Sequence, residues 1–303
     1  MPRLKFFKER KREVFMEFFV TKLLGMSAGL TVLLTLILVG VLLKDSAHFF
    51  SKIPIEDFLF GTNWSPLIEP RSFGILPLVC GTFLVASGAG LIAIPVGLGI
   101  GIYLSEYAHS KVRGTVKPML EIMAGIPSVV YGYFALTAIT PMLQSVFPDT
   151  QAFNAASASI VVAIMVLPMV CSLCDDALRA VPRSLREGGL ALGATRWEVA
   201  SRIVLPGAFS GVMASFILAL SRAIGETMAV ALAAGATPVM GLNPLKSIQT
   251  LTGYIVQVSL GDTPQDSIEY YSIFAVGLTL FVMTFFMNIL ALVIRERYRV
   301  RYN

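Results

Sequence analysis

Apolar runs long enough to cross a bilayer recur along this chain, each closed off by polar or charged residues. They lie at about 23–43, 74–104, 119–143, 153–173, 207–234 and 271–294. Crossing the hydrocarbon takes a helix of about 20 residues. Hydrophobic residues make up 55% of the chain and charged residues only 14%. A soluble domain carries about 25% charged residues, so these runs are not ordinary buried cores. The expectation is an all-α membrane protein with six transmembrane helices. A first span at 23–43 follows a basic, aromatic segment at 1–22, and five more spans form a core over 74–294. The first run is too long for a signal-peptide core and has no clear small-residue cleavage site after it, so it reads as uncleaved.

The net charge of +5 and isoelectric point near 9.2 raise the question of a nucleic-acid partner. The distribution of the charges answers it. Residues 1–22, the loops after the second and fourth spans, and the tail at 295–303 hold almost every lysine and arginine. The remaining loops hold Lys44, Lys52, Arg71 and Lys246. Basic residues mark cytoplasmic loops, which puts both termini of this multi-pass chain inside and leaves no call for nucleic acid. Residues 44–71 and a long loop at 237–270 then lie outside. Residues 105–117 read as a short loop, and Ala-Gly-Ile-Pro-Ser at 124–128 reads as an interruption within the third span.

One polar island, 182–206, breaks the apolar pattern. Ser184 and Glu187 have capping-box spacing, which predicts a helix starting near Leu185. Gly193 suits the left-handed residue that ends a helix. Thr195 and Glu198 repeat the capping box, and Pro206 is set to kink or interrupt the helix they launch. The island thus reads as two helices meeting at a tight, capped corner.

Within the fifth span stand Arg222 and Glu226. Counted from Pro206 along an unbroken helix, Arg222 lies about 24 Å in. An arginine at that depth costs about 2.5–3.5 kcal/mol on insertion scales. Glu226, at i+4, is expected on the same face and within reach of the guanidinium. One reading is a structural ion pair within the bundle. The other is an anion site, because a guanidinium presents a planar fork of donors to phosphate or carboxylate oxygens. On that reading Glu226 holds Arg222 while the path is empty. It also accepts a hydroxyl proton that phosphate keeps near neutral pH and sulfate does not.

Glu187, Gly188, Gly189, Gly193 and the Ile-Val-Leu-Pro run at 203–206 match the spacing of the EAA-x3-G-x9-I-x-LP loop. The chain therefore resembles the membrane subunits of ABC-type importers, in which this loop is the coupling helix. Gly188 and Gly189 depart from the two alanines of the pattern. Together with Ser-Arg-Ala-Ile-Gly-Glu-Thr-Met-Ala-Val at 221–230 and Ala-Gly-Ile-Pro-Ser-Val-Val-Tyr-Gly at 124–132, the match is to the phosphate-specific branch, its C-type rather than A-type permease. The resemblance implies a type I importer permease fold in the inner membrane of a prokaryote. It implies that Arg222 and Glu226 serve phosphate passage and that Ser184, Glu187, Gly188, Gly189, Gly193, Thr195 and Glu198 form the ATPase-coupling surface. It implies a sister permease in a heterodimer, two ATP-binding subunits and an extracytoplasmic phosphate-binding protein. ATP and magnesium would then sit on those partner subunits, with no cofactor in this chain.

Other chemistries find little support. There is no G-x-x-x-x-G-K-[ST] run for a nucleotide. Gly25, Ser27 and Gly29 fit G-x-S-x-G, but in an apolar span rather than at a strand-to-helix turn. Cys171 and Cys174 lack the second pair a structural zinc needs. His48 and His109 fall on opposite sides of the membrane. The rivals are the same architecture carrying phosphonate or molybdate, a passive anion channel, and a membrane-embedded enzyme, the last lacking any nucleophile–base constellation.

Overall fold

The computed structural model describes residues 2–297, with side chains from residue 16 onward. The basic side chains of 1–15 and the tail beyond 297, with Arg299 and Arg301, lie outside the described residues. Helix α1 (Pro2–Phe50) is continuous, so residues 2–22 and the first span form one rod that passes Leu43 by another two turns. Among the described residues Met16–Phe50 holds an apolar window long enough to cross a membrane. After it come α2 (Ile55–Phe60) and a two-stranded hairpin, β1 (Trp64–Ser65) against β2 (Ser72–Phe73), with Trp64 opposite Phe73. Phe49, Phe58, Trp64 and Phe73 are buried together with Tyr254 in an aromatic cluster. The polar stretch expected outside the membrane is therefore a packed cap with its own core.

Helix α3 (Leu76–Ile102) runs on into a π turn (Tyr103–Tyr107). Pro95 lies inside it without breaking it. Its glycines let α7 (Ala155–Arg179) come close: a Cβ on Gly97 would meet Val170 Cγ1 at 2.6 Å, and one on Gly101 would meet Cys174 Cβ at 2.8 Å. The α3–α7 pair is the heart of the bundle, and most of the main hydrophobic core lies along it. Cys171 and Cys174 are packed within α7, and no group of metal-binding side chains occurs among the described residues.

Between them the chain departs from expectation. Residues 110–117 are not a loop but the start of α4 (Ser110–Ala124), whose Val112, Val116 and Leu120 recur every fourth residue. Val116 and Leu120 pack with Leu104 and Cys171. The break at 125–127 therefore separates α4 from the third span instead of interrupting that span. The span itself is Ser128–Val146, made of α5 (Ser128–Phe134), a π turn (Ala135–Ile139) and α6 (Thr140–Val146). Tyr131 Oη donates to the Met123 carbonyl at 3.0 Å, clasping the break.

Beyond α7 come α8 (Arg183–Ala191), α9 (Arg196–Val199), a π turn (Ala200–Val204) and α10 (Leu205–Gly207). A 73° bend at Ala208 leads into α11 (Phe209–Ile224). The fifth span is broken again after Ile224, resuming as α12 (Met228–Ala233). The long loop holds α13 (Leu251–Leu260), which packs on α12 and on α14 (Ile268–Arg297). Among the described residues five helices are long and apolar enough to span a membrane, and six if the bent pair counts as one.

Candidate functional site

The island at 182–206 folds as a capped corner. Pro182, in extended conformation, takes the N-cap position of α8, and no side chain caps that helix. Ser184 is thus the second helical residue, and the expected Ser184–Glu187 capping box does not form. Pro182 has an extended ψ of 141° and takes the cap position, so the helix begins at Arg183, two residues earlier than Leu185. The far end of α8 follows expectation. Gly193 has φ +86°, its N–H donates to the Leu190 carbonyl at 3.0 Å, and the Ala194 N–H donates to Gly189 at 3.2 Å. Those two bonds make a complete Schellman motif. Thr195 and Glu198 form the second capping box in both directions, with Thr195 N to Glu198 Oε2 at 2.9 Å and Glu198 N to Thr195 Oγ1 at 3.3 Å.

Gly188 and Gly189 differ in kind. Gly188 is exposed, and nothing lies within 4 Å of where its Cβ would be. Gly189 is buried against Val199 and Ile203, and it permits α8 to lie flat on the second arm of the corner. Leu192 and Trp197, 91% and 62% exposed, project from the corner as an apolar tip. Ser184 and Glu187 share its exposed face.

Residues that the sequence pattern did not flag anchor this elbow. Arg186 makes a forked bond to Glu106 on the π turn after α3, Nε to Oε2 and Nη2 to Oε1 both at 3.1 Å. Its Nη2 also reaches the Leu178 carbonyl at 2.8 Å, and its Nη1 the Val181 carbonyl. Asp175, 0% exposed, takes Arg113 at 2.7 Å and Lys117 at 3.2 Å, so α4 is clamped to α7 beside the elbow. Burial alone would lower the Lys117 pKa, but bonds and charge from Asp176 and Asp175 outweigh it and leave the pKa raised. A cleft of about 1090 Å³ lies between α4 and the elbow. Arg113, Lys117 and Arg186 in its wall are paired with carboxylates, while Arg179, Arg183 and Arg196 line it without an ion pair among the described residues.

The second part of the site is the break after α11. Helix α11 ends at Ile224 with Gly225 as its cap, so Arg222 stands in the last helical turn and Glu226 lies beyond it. The expected i,i+4 contact therefore fails: among the described residues no ion pair joins Arg222 to Glu226 or to any other carboxylate. Arg222 is exposed, whereas Glu226 is 8% exposed. With the 73° bend before Phe209, Arg222 lies about 20 Å along α11 rather than 24 Å from Pro206.

The break is held by the folded-back loop. Thr252 Oγ1 donates to the Glu226 carbonyl at 2.6 Å, and Thr250 Oγ1 caps α13 by accepting from Gly253 N at 3.0 Å. The Leu251 N–H donates to Thr82 Oγ1 on α3 at 3.0 Å. Polar groups freed by a broken membrane helix are thus re-satisfied from within the chain. The break was missed in the sequence, where Gly225 was the available signal: a glycine inside a helical pattern can end the helix.

Solved structures carry the same bundle of broken spans with a capped elbow. The chain superposes on a permease described as an inward-facing conformation of the MetNI methionine ABC transporter with TM-score 0.58 and 18% identity, covering 78% of this chain and 100% of that one. It superposes on a bacterial ABC transporter involved in import of the acidic polysaccharide alginate with TM-score 0.56 and 15% identity, covering 88% and 95%. Both show the type I ABC importer permease fold. The family described as binding-protein-dependent transport system inner membrane component matches residues 94–300, and the chain belongs to it. It is 36% identical over 247 residues to the probable ABC transporter permease protein YqgH of Bacillus subtilis, covering 82% of this chain and 79% of that protein. It is 32% identical over 284 residues to the phosphate transport system permease protein PstC of Mesorhizobium japonicum, covering 86% and 85%. The PstC 1 permease of Mycobacterium tuberculosis is 31% identical over 289 residues, covering 83% and 82%. The chain is thus an integral membrane component of an importer that works with an ATPase and a binding protein.

Proposed function

We propose that this chain is the C-type permease subunit of an ATP-driven importer that passes inorganic phosphate into the cytoplasm of a prokaryote. The observation that carries the substrate is Arg222: a guanidinium at the end of a membrane helix, exposed and without an ion-pair partner among the described residues. Its fork of donors matches the oxygens of an oxyanion. Glu226, four residues further on and beyond the end of α11, accepts the hydroxyl proton of hydrogen phosphate. Relatives named as phosphate transport permeases support the choice of phosphate over phosphonate or molybdate.

In the assembly, the exposed face around Ser184, Glu187, Gly188, Thr195 and Glu198, cornered by Gly189 and Gly193, docks one of two ATP-binding subunits. Those subunits carry ATP and magnesium, and this chain carries no cofactor. A sister permease completes a heterodimer, and an extracytoplasmic phosphate-binding protein delivers substrate at the end built by α2 and the β-hairpin. Both termini and the elbow face the cytoplasm, as the lysine and arginine distribution supports. Closure of the ATPases on nucleotide moves the elbow, and the spans alternate their access.

Reconstitution with the sister permease, the ATPase and the binding protein tests this reading. ATP-dependent phosphate accumulation in vesicles is expected, with Arg222→Gln assembling normally and importing at least tenfold less. Flux without ATP, or unchanged import by Arg222→Gln, would refute it.

A further inference from the structure

We infer that the Glu106–Arg186 pair is the strut through which movement of the elbow reaches α3, making both residues determinants of coupling; this rests on the importer reading above. Three ends meet at one guanidinium. Arg186 belongs to α8, Glu106 to the π turn that closes α3, and the Leu178 and Val181 carbonyls to the end of α7 and the link after it. Among the described residues Arg186 makes the only polar side-chain link from α8 to α3. Glu106 is held in turn by Ser105 Oγ at 2.7 Å.

The geometry suits force transmission rather than simple charge neutralisation. A forked guanidinium–carboxylate contact resists rotation as well as separation, whereas a single contact lets the partners pivot. Both side chains are largely out of solvent, 17% and 9% exposed, so screening does little to loosen them. Helix α3 in turn holds the loop that braces the break, through Thr82 Oγ1 and the Leu251 N–H. A rigid path therefore runs from elbow to Glu106, along α3, to the loop that holds the Glu226 carbonyl. The π turn places Glu106 where helical register is interrupted, a feature common at working sites.

The test measures phosphate moved per ATP hydrolysed in reconstituted vesicles. It compares wild type, Glu106→Gln, Arg186→Gln and the double variant. Each single variant is expected to keep ATP hydrolysis and lose at least tenfold in phosphate per ATP, and the double variant to be no worse than either. Wild-type stoichiometry in both single variants, or losses that multiply in the double, would overturn the strut. Should Glu106→Gln fail to assemble, Glu106→Asp decides, since it keeps the charge and shortens the arm. Partial uncoupling supports the strut, and full coupling overturns it. A second readout needs no substrate: the nucleotide-dependent labelling rate of a thiol on α3, Ser87→Cys with Cys80→Ser. Its ATP response is expected to vanish in Glu106→Gln, and its persistence would overturn the strut. A wild type that moves no phosphate yet shows the labelling response would sink the substrate reading alone.

Discussion

Gly189 and Ile203 face each other so closely across the elbow that a methyl on the glycine would stand 2.6 Å from Ile203 Cδ1. Gly188, one residue earlier, faces open space. Gly188→Ala is therefore expected to stabilise α8 by about 0.5–1 kcal/mol, the usual gain over glycine in a helix interior. Gly189→Ala makes the same backbone gain but must push the Ile203 side chain and Val199 aside, and its net effect should be the less favourable. Thermal unfolding of the two purified variants checks the order. An equal gain would show that the corner is looser than described.

At the tip of the elbow the backbone itself decides. Gly193 has φ +86°, where an L side chain costs about 1–2 kcal/mol. Gly193→Ala should lower the melting temperature and Gly193→Asn should lower it less, since asparagine tolerates the left-handed region. Thr195→Ala removes a cap worth about 1 kcal/mol. Hydrogen exchange at residues 195–199 should rise in that variant while α3 stays protected.

Asp175, itself out of solvent, holds two partly exposed cations, with Arg113 at 2.7 Å and Lys117 at 3.2 Å. Asp175→Asn strips Arg113 of its counter-charge and leaves Lys117 with Asp176 alone, so it should destabilise the protein by less than the roughly 3 kcal/mol of a fully broken buried pair. The pair also sets a pH limit. The folded pKa of Lys117 lies above its ordinary 10.5, so its contribution is complete below about that value and is lost as pH rises through the folded value. A spin label at Thr115→Cys, in a Cys80→Ser background, should gain mobility only at such alkaline pH. Mobilisation near pH 8 would exclude Lys117 as the clamp.

What the sequence disclosed was mostly local. Gly193 and the Thr195–Glu198 box carry their meaning within four residues, and both fold as expected. Ser184–Glu187 has the same spacing but loses to Pro182, which occupies the cap first. Helix α4 was hidden by its charges, although Val112, Val116 and Leu120 already traced an apolar stripe. The Arg186–Glu106 pair was invisible because 80 residues separate its members and neither stands in a local pattern that requires the other. Arg222 and Glu226 were read as helical neighbours because span length suggested one long helix. Gly225 between them ends that helix, and the buried hydrogen bond from Thr252 makes the break tolerable.

The separation of Arg222 from Glu226 changes what each substitution should do. Were they an ion pair, neutralising either one would strand the other, and the two losses would resemble each other. Since Arg222 is exposed at the end of α11 and Glu226 is buried in the break, their effects should differ. Arg222→Gln removes the charge that draws any oxyanion, so import of phosphate should fall at least tenfold whatever competes with it. Glu226→Gln keeps the size of the side chain and the backbone carbonyl that Thr252 holds, so the break should survive. What it loses is an acceptor for a proton-bearing hydroxyl, which sulfate does not have near neutral pH. Competition uptake should therefore show sulfate inhibiting the Glu226→Gln importer more strongly than the wild type, relative to unlabelled phosphate. Unchanged selectivity would confine Glu226 to holding the break and leave anion choice to other residues.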